Sequence, residues 1–270
     1  GASSPGEGGA GGNGAGGNAT LLPWPSTTER CDGSTDEDDD GVVDEDCPAS
    51  FFGGVFVPAA VGLADPAVLD AVEADAARPL AVVQTYRSTS EAGAANAKVD
   101  LAAIWARGST PHLNVEPLDY SPAQLADAGD DAELAADVEL MAAKVAEALA
   151  DNPEGSLFLT FAAEMNGDWT DWGCLEPATF IAFYRWAHGV FDDALASAEP
   201  PIDPRRVRWV FGPNNVSSGG CGAPADYYPG HAYTDYLGMS AYRSGTQSVA
   251  AAVVDPAHGL FDDLALADDL

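Results

Sequence analysis

Residues 157–173 read LFLTFAAEMNGDWTDWG, and the organisation of the chain can be followed outward from them. The apolar run 157–163 has the length of a buried strand. Glu164 stands where that run ends. Asn166 and Gly167 then mark a turn, and two indoles, Trp169 and Trp172, follow in the same loop. A carboxyl group at the carboxyl end of a buried strand can protonate a bridging oxygen. A flat indole beside it takes the apolar face of a sugar ring. The same residues also suit a plainer reading, a strand-ending Glu on a solvated turn with two Trp in the core. Spacing alone leaves both open.

On either side of this stretch, short apolar runs alternate with helical stretches. Strands are predicted over 53–58, 80–86, 112–116, 157–163, 207–211 and 236–240. Helices are predicted over 66–77, 99–107, 132–150 and 177–198. The first has Asp65 as N-cap and Pro66 at its first position. The third places Leu134, Val138, Met141, Val145 and Leu149 on one side. The fourth carries Phe180, Tyr184, Ala187 and Phe191 in register, and another helical region begins at 249. Such alternation predicts a parallel sheet covered by helices, either doubly wound or a (β/α)8 TIM barrel. No GxGxxG follows the first strand and no P-loop occurs, so a nucleotide role lacks support. Polar residues at the strand ends (Tyr86, Arg87, Glu116, Glu164, Asn214 and Tyr242) favour the functional face of a barrel. Six of the eight units are counted within 51–270, so the barrel is expected to be incomplete in this chain.

The run Glu164-Met165-Asn166-Gly167 after a strand resembles glycoside hydrolase family 26, the β-mannanase family, at the end of its fourth strand. Three later segments fit in the same order: 207–214 (VRWVFGPN) as the fifth strand, 227–230 (YYPG) as the loop after it, and 236–242 (YLGMSAY) as the sixth strand. The resemblance is continuous over about 157–242 and weaker from Gly53. It implies a TIM barrel that hydrolyses a β-linked polysaccharide with retention, using two glutamates and no catalytic cofactor. Glu164 matches the acid/base. The nucleophile belongs at the end of a seventh strand, and none is found before Leu270. The chain by itself is therefore expected to be inactive. Trp169, Trp172, Asn214, Tyr242, Glu116 and Tyr86 are the candidate substrate contacts, with Tyr242 also a candidate to hold the nucleophile. Two departures bear on the substrate: Ala163 stands where the family has His before the acid, and Ser240 where many members have Asp. Mannan, mixed-linkage β-glucan and xylan all stay open. A carbohydrate-binding barrel without catalysis is the alternative.

The 270 residues suffice for one large domain. Forty-three acids against eleven bases give a formal net charge of −32, which argues against nucleic acid and anionic membrane surfaces as partners. No apolar run is long enough to span a membrane. Residues 1–30 are rich in Gly, Ala, Ser, Asn and Pro and read as a flexible linker. The four cysteines allow three pairings. The expected one is Cys31–Cys47 and Cys174–Cys221, in an oxidising extracellular or cell-surface setting. The barrel is expected to be a monomer.

Between the first two cysteines, residues 31–47 read CDGSTDEDDDGVVDEDC. Asp36, Asp38, Asp40 and Asp44 take positions 1, 3, 5 and 9 of a calcium loop, with Gly41 at position 6 and Val42 offering a carbonyl at position 7. Cys47 stands where an EF-hand needs a bidentate Glu, so this is no EF-hand. It resembles the cysteine-bracketed aspartate motifs of secreted bacterial proteins, similar to thrombospondin type 3 repeats. A disordered acidic linker is the alternative. Calorimetry with millimolar Ca²⁺ should give a binding isotherm that the Asp38→Ala, Asp40→Ala variant loses. Equal heats from both proteins would leave only the linker.

Overall fold

The computed structural model describes residues 54–56, 66–77 and 79–242, together with Leu260 and Leu264. The linker 1–30, the acidic motif with Asp36, Asp38, Asp40 and Asp44, and the pairing of Cys31 with Cys47 lie outside the described residues. So does the helical region expected from 249, apart from those two leucines. Among the described residues six strands and five helices follow in the order β1 (Gly54–Phe56), α1 (Pro66–Ala76), β2 (Val82–Ser88), α2 (Glu91–Ala106), β3 (Thr110–Glu116), α3 (Pro122–Ala126), α4 (Ala132–Asp151), β4 (Leu157–Phe161), α5 (Pro177–Ala196), β5 (Val207–Phe211) and β6 (Tyr236–Leu237).

The order of the strands decides between the two architectures. They form one sheet in the sequence β1-β2-β3-β4-β5-β6, and every neighbouring pair is parallel. A doubly wound sheet reverses its order at a switch point, and none is present among the described residues. A sheet that always adds its next strand on the same side is the wall of a barrel.

The alternation of residues along each strand sets what faces what. Leu113 and Val115 of β3, Leu159 and Phe161 of β4, and Trp209 and Phe211 of β5 are buried under the helices. The opposite face is polar and aromatic. There Gln84, His112, Phe158 and Arg208 lie side by side across four strands. His112 donates to or accepts from Thr160 Oγ1 at 2.8 Å, and burial pushes its imidazole down to about 4, so the ring is neutral.

The helices follow the sequence where apolar residues recur every three or four positions. Leu134, Val138, Met141, Val145 and Leu149 of α4 are all fully buried, as are Phe180, Tyr184, Ala187 and Phe191 of α5. Helix α2 starts eight residues before the predicted 99, because its first turns are built of Ala, Gly and Asn and show no apolar stripe. Gly93 is required there. A Cβ on it would come within 2.0 Å of the Ser88 carbonyl, so α2 packs its backbone directly on the end of β2. The short α3 is opened by a capping box of Ser121 and Gln124.

Arg87, counted above among strand-end polar residues, turns away from the barrel interior. Its guanidinium meets Asp100 of α2 at 2.5 Å, with both side chains nearly buried, and Thr85 donates to the same carboxylate. Burial raises the Asp100 carboxyl above its usual range, against the pull of Arg87 and Thr85. The pair locks β2 to α2 beneath the barrel rim. Arg87→Met leaves a buried carboxylate without its cation and should cost about 3–5 kcal/mol in urea unfolding. Combining it with Asp100→Leu should recover most of that loss. A single variant of near wild-type stability would show that the pair contributes nothing.

Candidate active site

Because all six strands run in parallel, their carboxyl ends open on one side. There a cleft of about 560 Å³ is bordered by Glu116 from β3, Glu164 and Trp169 from the loop after β4, Tyr86 from β2 and Tyr242 after β6. Glu164 is delivered by an unusual backbone. Ala162 and Glu164 adopt φ of +51° and +58°, left-handed conformations that L-residues avoid. Each such residue stores of order 1–3 kcal/mol, and strain of this kind collects at functional sites. Neighbouring strands hold the segment: Ala162 N–H donates to the Val115 carbonyl at 3.0 Å, and Glu164 N–H donates to the Gly212 carbonyl at 2.9 Å.

The carboxylate of Glu164 is met by two neutral donors. Trp169 donates its indole N–H to Oε2 at 2.7 Å, and Tyr242 places its hydroxyl 3.5 Å from Oε1. Trp169 is 52% exposed and Tyr242 69% exposed, so both present ring surface to the cleft. The charge of Glu164, followed by burial, raises the Tyr242 phenol above its ordinary value. Burial pushes the Tyr86 phenol up to about 12, reinforced by Tyr242, Glu164 and Glu116. Both phenols therefore stay protonated at any physiological pH and act as hydroxyl donors. Burial, and then the charge of Glu164, also raises the Glu116 carboxyl.

Trp172 borders the cleft but is only 1% exposed, and its N–H donates to the Ala163 carbonyl at 2.6 Å. It is chiefly a plug beneath the loop. Asn214, expected as a sugar contact, lies outside the cleft lining and is buried. Its backbone N–H donates to Asn166 Oδ1 at 2.8 Å, its carbonyl accepts from Asn166 Nδ2 at 2.9 Å, and its own Oδ1 accepts from Val216 N–H at 3.0 Å. Asn166, fully buried, thus ties the loop after β4 to the end of β5. The disulfide Cys174–Cys221 joins the same two loops, as expected, with Cα atoms 4.6 Å apart. His231 is outside the cleft, against the Tyr228 hydroxyl at 3.0 Å.

Four cleft residues were not anticipated from the sequence: Gln84, Thr170, Met239 and Ala241. Gln84 shares the inward face of β2 with Tyr86, whose hydroxyl lies 3.4 Å from its amide, so strand parity alone points to it. Thr170, Met239 and Ala241 carry no such signal. Among the described residues no cluster of three His, Cys, Asp or Glu could hold a metal, and no helix is long and apolar enough to cross a membrane.

No protein-family model matches the chain, and no curated protein matches its sequence. Solved structures do match. A β-mannanase from a symbiotic protist of the termite Reticulitermes speratus superposes with a TM-score of 0.59 at 14% identity, covering 80% of this chain and 71% of that one. The YdhT protein from Bacillus subtilis gives 0.57 at 18% identity, covering 77% and 68%. A modular endo-β-1,4-mannanase from Cellulomonas fimi, of glycoside hydrolase family 26, gives 0.51 at 16%, covering 70% and 46%. The chain thus spans from under half to about seven tenths of these structures. They share its barrel fold.

Gly167 makes room for the indole that meets Glu164. A Cβ there would fall 2.2 Å from the Trp169 ring. Gly167→Ala should therefore push Trp169 off the carboxylate and raise quenching of indole fluorescence by acrylamide, while lowering stability by no more than about 1–3 kcal/mol. Unchanged quenching would mean that the ring does not rest where the structure has it.

Proposed function

We propose that this chain carries the acid/base side of a retaining β-glycanase of the endo-β-mannanase type. The observation that carries the reading is Glu164 itself: a strained, strand-end carboxylate inside an aromatic-walled cleft, held by Trp169 and Tyr242. The order of motifs resembling family 26 and the barrel shared with mannanases support it. In the first step the Glu164 carboxyl donates its proton to the glycosidic oxygen as the bond to the leaving sugar breaks. In the second, the carboxylate takes a proton from the water that attacks the glycosyl-enzyme. Trp169 offers a ring face to a sugar and its N–H to the carboxylate, which fixes the direction of that oxygen. The phenol of Tyr86 offers a hydroxyl to the substrate. The nucleophile is assigned to the end of a seventh strand, outside the described residues. The disulfide, the acidic surface and the linker favour an extracellular or cell-surface protein acting as a monomer, with Ca²⁺ held in the acidic motif.

A second reading, a carbohydrate-binding barrel without catalysis, draws on Ala163 and Ser240. Both border the cleft where the family carries His and often Asp, so two polar partners of a working site are replaced. The same two residues keep the choice among mannan, mixed-linkage β-glucan and xylan open.

The test compares wild-type full-length protein with Glu164→Gln. Polysaccharide hydrolysis should fall by about 10²–10⁴-fold, the contribution of a positioned general acid. An aryl glycoside with a good leaving group needs little acid help, so it should still glycosylate the enzyme, and azide should speed turnover by replacing the activated water. Equal polysaccharide activity in the two proteins would remove Glu164 from the reaction. Binding of oligosaccharide without hydrolysis by either would select the second reading.

A further inference from the structure

Glu116 is the second carboxylate of the cleft, and the acid/base reading leaves it without a task. It closes β3, where the register sets it beside Ser88 of β2, just beyond the Tyr86–Asn114 pair. Its side chain is half-buried and borders the same cleft as Glu164. Burial first, and then the charge of Glu164, raises the Glu116 carboxyl. Two carboxylates are costly to hold side by side unless an opposite charge joins them. Among the described residues no Lys, Arg or His borders the cleft, and neither glutamate forms an ion pair. Arg87, next to Tyr86 in sequence, faces the helices and is taken by Asp100.

The cleft that Glu116 borders is rich in aromatic rings. Tyr86, Trp169 and Tyr242 share its cleft. A carboxylate beside aromatic faces is the combination that binds an organic ammonium, through a charge-assisted hydrogen bond and cation–π attraction. A metal ion is a poorer fit, because the described residues offer no group of three ligating side chains. Resting on the reading of the cleft as a glycan site, we propose that Glu116 is a specificity-determining residue that receives the protonated amino group of a β-linked amino sugar. The substrate would then be a polysaccharide carrying free amino groups. The same charges would exclude uronic-acid polymers.

The experiment is calorimetric binding to the full-length Glu164→Gln protein, which suppresses turnover. Three probes are used at mildly acid pH: a β-1,4-linked glucosamine hexamer, cellohexaose, which differs from it only in carrying hydroxyls in place of the amines, and mannohexaose. The glucosamine hexamer should bind about 10- to 100-fold more tightly than cellohexaose, the worth of one charge-assisted hydrogen bond. That preference should shrink with added salt and disappear on introducing Glu116→Gln, an isosteric change. Equal affinity for the glucosamine hexamer and cellohexaose would overturn the inference and leave the glycan reading intact. A preference that survives Glu116→Gln would overturn the assignment to this residue. Failure of all three probes to bind would remove the glycan reading and the inference together.

Discussion

The side-chain amide of Asn166 holds the candidate site together. It accepts from the Asn214 N–H and donates to the Asn214 carbonyl, so it pairs with the end of β5 much as another strand would. A second donor contact, to Ser217 Oγ at 3.1 Å, extends the tie into the following loop. Ser218 adds to it from the other side, with its hydroxyl accepting the Asp168 N–H at 2.8 Å and its N–H reaching the Asn166 carbonyl at 3.0 Å. The bonds between Asn166 and Asn214 are buried, and each of their groups left without a partner would cost about 1–3 kcal/mol. The disulfide between Cys174 and Cys221 then closes the outer ends of the same two loops. A loop fastened in this way can keep Ala162 and Glu164 in left-handed conformations that a free loop would abandon.

This fastening gives the cleft its character. A general acid must meet the substrate oxygen in one orientation, and rigid support outside the cleft supplies that orientation without filling it. The two indoles of the loop divide the task. Trp172 fills the space beneath and bonds to the Ala163 carbonyl, while Trp169 stays in the open with its N–H on Glu164. The hydrogen-bond donors to Glu164 are neutral, so the carboxylate is directed without being neutralised. The inner face of the sheet below is polar and aromatic, with His112 kept uncharged by burial.

Much of this was legible in the sequence for a physical reason. Apolar periodicity is written strongly in the strands and in α4 and α5, and the alternation of strand and helix predicts a parallel sheet but not the order of its strands. Glu164 was legible because an apolar run stops at it. Other features depend on contacts that no local pattern encodes. Trp169 and Trp172 are the same residue type three positions apart, and only Gly167 on one side and the Ala163 carbonyl on the other separate their fates. Asn214 is polar at a strand end, as a sugar contact would be, yet its backbone N–H and carbonyl are taken by Asn166 and its Oδ1 by Val216. Arg87 and Gln84 were readable from parity, since alternate residues of β2 face the helices and the interior. The start of α2 was not, because a run of small residues packs closely without leaving a stripe.

The most direct measurement is a crystal structure of the protein with a bound β-1,4-linked manno-oligosaccharide. The account predicts a sugar ring against the face of Trp169 and a glycosidic oxygen within about 3 Å of the Glu164 carboxylate, the reach of direct proton transfer. An oligosaccharide seated outside the cleft, or one that presents only ring hydroxyls to Glu164, would contradict it.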